Sequence, residues 1–144
     1  MVAAYNLTKQ FGEQILFENA TFTIGDGERI GLVGRNGHGK STLFRLITGE
    51  EEPDSGLIQI PKGYSIGFLK QEYRFTKNSV VEEASLGLRE DRRHEEWEAK
   101  KILAGLGFSE DDFERSPSLF SGGFQIRINL AKVLLSEPQL LLLD

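Results

Sequence analysis

The chain has 144 residues, no cysteine and a formal net charge of -5. These values exclude disulfides and thiolate metal sites and give no support to a surface built for broad nucleic-acid binding. An apolar share of 39%, weighted to ten phenylalanines, suits a soluble globular chain that buries a real core. The opening residues, MVAAYNLTKQ, hold no charged stretch followed by an apolar one, so no signal peptide is expected. AAYNLTKQF and ATFTI are β-rich and partly alternating, which predicts two strands joined through GEQILFEN. GDGE at 25–28 is a turn. RIGLV at 29–33 reads as a strand buried on both faces, as in a parallel sheet. STLFRLITG predicts a helix with Leu43, Leu46 and Ile47 on one side and Gly49 as its stop. SGLIQIPKGYSIGFLKQ predicts two further strands around a turn at Pro61–Gly63.

The character changes near residue 75. SVVEEASLGLREDRRHEEWEAKKILAGLGF carries apolar residues at helical spacing, Trp97 followed by Ile102, Leu103 and Leu106. It should be mostly helix, ending at Gly105 or Gly107. Its charge run, REDRRHEEWEAKK, reads as a solvated helix face, with contact to RNA or a protein partner as the alternative. SEDDFERSPS is an acidic loop. SGGFQIRINLAKVLLSE predicts a helix with Ser121 as N-cap and Ile128, Ala131, Leu134 and Leu135 on its buried face. Pro138 breaks it, and LLLLD is a last buried strand. Its run of four leucines is the longest aliphatic run and far too short to cross a bilayer.

Between the expected strand at 29–33 and the expected helix lies GRNGHGKST. Gly34, Gly39, Lys40 and Ser41 satisfy G-x-x-x-x-G-K-[ST]. Glycines open backbone angles closed to other residues and keep side chains out of the path. Successive amides can then form a nest for phosphate oxygens, and the following helix adds the positive end of its dipole. Lys40 is placed to bridge β- and γ-phosphates, and Ser41 to offer its hydroxyl to Mg²⁺. Gly34, Arg35, Asn36, Gly37, His38, Gly39, Lys40, Ser41 and Thr42 are the candidate phosphate site, His38 through its backbone rather than its ring. The plain alternative is a glycine-rich turn of no special use. Chance produces the pattern in such a chain roughly 0.5% of the time, before the flanking elements are counted.

FSGGFQ, at 120–125, places a serine and two glycines at a helix start, a second anion site built on the same physics. Taken alone it could be an ordinary capped helix. Together with the loop at 34–42, it resembles the signature motif of the ATP-binding cassette (ABC) family. That resemblance covers the whole chain. It implies that Phe11 stacks on adenine, that Gln71 reaches Mg²⁺ and the attacking water, and that Asp144 is the Walker B aspartate holding Mg²⁺ through water. Lys40, Gln71 and Asp144 would be the catalytic residues; Ser41, Gln71 and Asp144 the metal-linked ones. Ser121, Gly122, Gly123 and Gln125 would touch an ATP held by a second cassette. Phe11 as plain core and Gln71 as a surface glutamine are the bland readings.

The resemblance implies an α/β fold: a P-loop NTPase core of ABC type with an N-terminal antiparallel β subdomain and an inserted helical subdomain, incomplete at its C-terminus. The expected divisions are 1–74 for the core with the β subdomain and loop, 75–135 for the helical subdomain with the signature, and 136–144 for the returning Walker B strand. SGGFQIR running into INLAKVLLSEPQLLLLD looks like the F-type cassettes (ABC-F), as does YNLTKQFGEQILFENATFTIGDGERIGLVGRNG. Phe120 stands where leucine is commoner in the family. ABC-F proteins carry two cassettes and no transmembrane domain, and act mostly on ribosomes in translation or antibiotic protection. A cytoplasmic protein with no membrane insertion is therefore expected, with the start at Met1 fitting a first cassette. The ATPase subunit of a membrane transporter and a non-hydrolysing, nucleotide-dependent dimerisation module are the alternatives. In the family a catalytic glutamate follows the Walker B aspartate, and the strand between the P-loop and Walker B strands comes later still. These 144 residues are thus expected to be part of a longer protein and, alone, to bind ATP but hydrolyse it poorly.

Overall fold

β1 (Val2–Phe11) and β2 (Gln14–Ile24) form an antiparallel hairpin, Val2 facing Ile24 and Phe11 facing Gln14. The turn is only Gly12–Glu13, so most of the segment expected to join the strands belongs to β2 itself. The computed structural model describes all residues, Met1–Asp144. β3 (Ser55–Gln59) pairs antiparallel with the other edge of β1, giving the sheet order β2-β1-β3. Val2, Ala3, Ala4 and Leu7 of β1 are buried. Gly56 allows β3 to come this close: its φ is +82°, and a Cβ there would lie 2.3 Å from the Asn6 carbonyl oxygen.

α1 (Lys40–Thr48) buries Leu43, Leu46 and Ile47 and stops at Gly49, whose left-handed backbone (φ +76°) lets its amide reach back to the Arg45 and Leu46 carbonyls. Both features agree with the sequence pattern. The run at 29–33 does not. It forms no strand, and Ile30, Leu32 and Val33 are exposed, Val33 almost fully at 95%. A strand is defined by its lateral hydrogen bonds, and none of the five strands lies beside this run.

By internal packing the chain falls into two units, Met1–Ile66 with Asp144, and Gly67–Leu143. In the second, β4 (Ile66–Leu69) pairs with β5 (Leu140–Leu143), strands more than 70 residues apart in sequence. β5 is less buried than its leucines suggest: Leu142 is buried and Leu143 is 56% exposed. Three helices make the remaining core: α2 (Val80–Ser85), α3 (Glu96–Gly105) and α4 (Gly122–Leu135). Val80, Val81, Ala84, Leu103, Phe108, Ile128 and Ala131 pack together between them.

The long charged helix expected after residue 79 is therefore two short ones separated by a turn and a 3-10 segment, Glu90–Arg92. Gly87 ends the first against the backbone of α4, and the charged stretch that follows has no apolar periodicity to sustain a helix. Arg92 instead gathers Glu95 (2.7 Å), Glu98 and Glu137 (3.7 Å). Trp97 is not core but 60% exposed, its place taken by Ala99 and Leu103. The acidic loop holds two 3-10 turns, Glu110–Asp112 and Pro117–Leu119, and buries Phe113 and Pro117. On α4, Leu134 is half-buried, while Ile128, Ala131 and Leu135 are buried as expected. No helix is long and apolar enough to cross a membrane.

Candidate functional site

The loop at 34–42 enters α1 through Gly39, the residue before the helix, at φ +94°. A Cβ at Gly39 would also lie 3.2 Å from Leu16 and Phe17, so the backbone favours glycine there and the packing is tight. Those contacts seat the loop on the beginning of β2. Gln14 adds a second tie, its side-chain amide donating to the Gly37 carbonyl at 2.9 Å. The His38 amide donates to Arg35 at 3.2 Å, and the Lys40 ammonium to the Gly34 carbonyl. Residues 34–38, the His38 ring included, face solvent.

Gly34 differs from Gly39. A Cβ there would meet nothing nearer than the Lys40 stem at 3.9 Å, so the protein's own packing does not require glycine. The space is open beside the Lys40 side chain, and the first amides of α1 have no acceptor one turn back. Those amides, the helix dipole and Lys40 together fit a phosphate group. The Ser41 hydroxyl and the Asp144 carboxylate are oxygen groups of the kind that would suit Mg²⁺ beside nucleotide phosphates. No group of three His, Cys, Asp or Glu side chains forms a separate metal cage.

Phe11 ends β1 about half exposed, with a face available for stacking. Lys9, two residues earlier on the same side of the strand, sets its ammonium 5.0 Å from the ring centroid. Lys9 is held by Glu51 (2.6 Å), the Glu52 carbonyl (2.8 Å) and Asp54 (3.7 Å). The bond to Glu51 keeps its pKa above the ordinary lysine value. Sequence reasoning named Phe11 but missed Lys9 and Gln14. The spacing of two was the available sign for Lys9; nothing local marked Gln14.

The first unit thus carries Phe11, the loop and Asp144. The second carries Gln71 and the stretch Ser121–Gln125. Gln71 is exposed just beyond β4, and Asp144 follows β5 directly. Ser121 is the N-cap residue of α4 by position, but its side chain accepts no capping hydrogen bond. Gly122 and Gly123 have no heavy atom within 4 Å of a built Cβ, so the helix start stands open. The Gln125 amide bonds the Ser121 carbonyl (2.9 Å), and its side chain donates to Pro117 (3.3 Å). The Tyr73 hydroxyl reaches the Gly122 carbonyl at 3.4 Å, a contact no sequence motif announced.

A profile of the ABC transporter family matches residues 17–144. The chain belongs to the ABC transporter family. Among relatives of this ATP-binding cassette, the probable ATP-binding protein YheS of Escherichia coli K12 is 34% identical over 174 aligned residues, covering 100% of this chain and 27% of that protein. The cassette therefore spans about a quarter of the length of such relatives. ABC transporter F family member 5 of Arabidopsis thaliana is 31% identical over 183 residues, covering 96% of this chain and 26% of its own. The aliphatic sulfonates import ATP-binding protein SsuB 1 of Shouchella clausii is 37% identical over 137 residues, covering 94% and 54%. Among solved structures, a dimeric post-hydrolysis state of the cassette MJ0796 bound to ADP and Pi matches with a TM-score of 0.82 at 25% identity, over 100% of this cassette and 73% of that chain. The α/β fold with its antiparallel β subdomain is that of ABC cassettes.

Proposed function

We propose that this cassette binds Mg-ATP at Gly34–Thr42 and, in a protein with a second cassette, hydrolyses it to close and reopen the pair. The observation that carries this reading is the loop itself. Gly39 is favoured by its left-handed backbone, Gly34 is not required by the packing, and the space Gly34 leaves lies beside the Lys40 side chain at the start of α1. In this reading Lys40 pairs the β- and γ-phosphates, Phe11 stacks the adenine, and Ser41, Gln71 and Asp144 hold Mg²⁺. When bound, Mg²⁺ neutralises charge on the phosphates. Gln71 also orients the attacking water. Ser121, Gly122, Gly123 and Gln125 face an ATP held by the partner cassette, so triphosphate favours closure and its loss releases it. The dimer of MJ0796 with ADP and Pi supports that arrangement by likeness. Residues 1–74 act as the nucleotide-binding part, 75–135 as the helical part with the signature, and 136–144 as the returning strand.

The finer reading is an ABC-F protein of the cytoplasm working on the ribosome. The similarity to an Arabidopsis F family member supports it. Calorimetry of the complete protein with Mg-ATP tests the first reading, with Lys40→Ala as control, and no heat of binding defeats it. ATP-dependent co-sedimentation with ribosomes tests the second. The similarity to SsuB 1 favours one other reading, an import ATPase subunit. Co-purification with a membrane-embedded partner instead of ribosomes would select it.

A further inference from the structure

We infer that Phe108, Phe120, Phe124 and Arg127 form a clamp that fixes the beginning of α4, so that the Ser121 hydroxyl and the amides after it remain available to a nucleotide. The inference rests on the signature reading of Ser121–Gln125. A serine before a helix normally spends its oxygen on an amide of the first turn. Ser121 does not, and Gly122 and Gly123 behind it are poor helix formers. The helix start is nonetheless regular, so its order comes from elsewhere.

Phe120 and Phe124 flank the Ser-Gly-Gly run, with ring centroids 6.1 Å apart. Both meet Phe108 edge-on, at 5.4 Å and 61° for Phe120 and at 5.2 Å and 83° for Phe124. Phe108 is 4% exposed and embedded with Leu103 and Ile128 in the helical core. One ring before the helix and one at its third position, closed on a third ring, hold the helix start by apolar contact. Arg127 lies over Phe124 with its Cζ 4.7 Å from the centroid and donates from Nη1 to the Leu106 carbonyl at 2.9 Å. The guanidinium thereby joins the end of α3 to the clamp. Apolar contacts hold the helix start, and its polar groups are not consumed in doing so. These are positioning residues; none of them touches the nucleotide in the proposed arrangement.

The test uses the complete protein with Phe124→Leu and Arg127→Lys, and Phe124→Tyr as the conservative variant. Three readouts are needed: amide hydrogen exchange at 125–127, the kcat and KM of phosphate release, and Mg-ATP affinity by calorimetry. Phe124→Leu and Arg127→Lys should speed exchange at 125–127, the first amides bonded back to the helix start, by about tenfold while Ile128 and Ala131 keep their protection. The kcat should fall about tenfold with Mg-ATP affinity unchanged, and Phe124→Tyr should restore both readouts. Exchange at 125–127 equal to the parent's in Arg127→Lys overturns the clamp even if Phe124→Leu fails to fold. So does a loss of kcat that follows the folded fraction and that Phe124→Tyr does not rescue. A parent protein that binds no Mg-ATP defeats the cassette reading instead, while the exchange arm still judges the clamp.

Discussion

The Glu83 carboxylate of α2, fully buried, receives the Lys132 ammonium from α4 together with the backbone amides of Thr76 (3.0 Å) and Lys77 (2.9 Å). One acidic group thereby ties the signature helix to α2 and to the segment that leads from Gln71 into the helices. No buried side-chain nitrogen or oxygen in the chain lacks a hydrogen-bond partner. Removing either half of this pair breaks that condition.

Lys132→Ala leaves the charge on Glu83 with only its two amides. The expected loss is about 2–3 kcal/mol, below the range for sealed ion pairs because Lys132 is a quarter exposed. Glu83→Gln keeps one oxygen for the two amides, which share Oε2, and loses the charged acceptor facing Lys132, and should cost about 1 kcal/mol. Urea unfolding curves of the two variants, compared at equal slope, check the order.

Gly87→Ala should be worse than its size suggests. The added Cβ would lie 1.8 Å from the Lys132 carbonyl oxygen and 2.7 Å from its carbon, so the backbone of α4 would have to retreat. Overpacking against main chain costs about 2–3 kcal/mol, visible as a lowered thermal midpoint. Gly105→Ala, where a Cβ meets nothing within 4 Å, is the control and should leave the midpoint unchanged or raise it.

In the loop, Lys40→Ala should weaken Mg-ATP binding by on the order of a hundredfold while the thermal midpoint stays put, since Lys40 bonds only a loop carbonyl. Gly39→Ala should do the reverse first. Its φ of +94° and its contacts with Leu16 and Phe17 strain any side chain, costing about 1–2 kcal/mol of stability before any ligand is added. Calorimetry and thermal melts on both variants separate the effects.

Acid should loosen the turn at Glu110–Asp112. Asp112 accepts from the Ser109 amide (2.9 Å) and hydroxyl (2.8 Å), and these bonds, the backbone one foremost, hold its pKa below the ordinary 3.8. A carboxylate with a depressed folded pKa stabilises above its unfolded value. That contribution is lost as pH falls below 3.8 through the folded value. Asp112→Asn should flatten the dependence in that window, measured as exchange at the Ser109 amide across the titration.

The elements legible in the sequence are those whose signals are local. α1 announced itself through the 3.6-residue spacing of Leu43, Leu46 and Ile47 and the glycine at 49. The hairpin strands showed through their β-formers, and α4 through its N-cap position and apolar face. What failed depends on partners distant in the chain. RIGLV is apolar on both faces, yet burial needs a neighbouring strand, and no local pattern states whether one is present. Gly87 looked like a mild interruption of a helix; its role against the Lys132 carbonyl belongs to a contact 45 positions away.

The site divides the same way. The spacing of Gly34, Gly39, Lys40 and Ser41 disclosed the loop because backbone geometry alone creates it. The ties that seat it, from Gln14, Leu16 and Phe17, come from a strand that passes beneath it and carry no motif. At the signature, the position of Ser121 was legible beforehand, but its lack of a side-chain capping bond was not. The three phenylalanines proposed to account for it include Phe108, 13 residues before Ser121.

The bond from Lys40 to the Gly34 carbonyl also bears on how an anion would be admitted. The ammonium already rests on an oxygen of the loop, a neutral one. An incoming phosphate offers a charged oxygen in exchange, and the swap asks only that the flexible end of one side chain rotate. The main chain, pinned at Gly37 and Gly39, need not rearrange. Selection in such a device would lie in the trade of a weak acceptor for a strong one, which a neutral ligand of similar size does not offer.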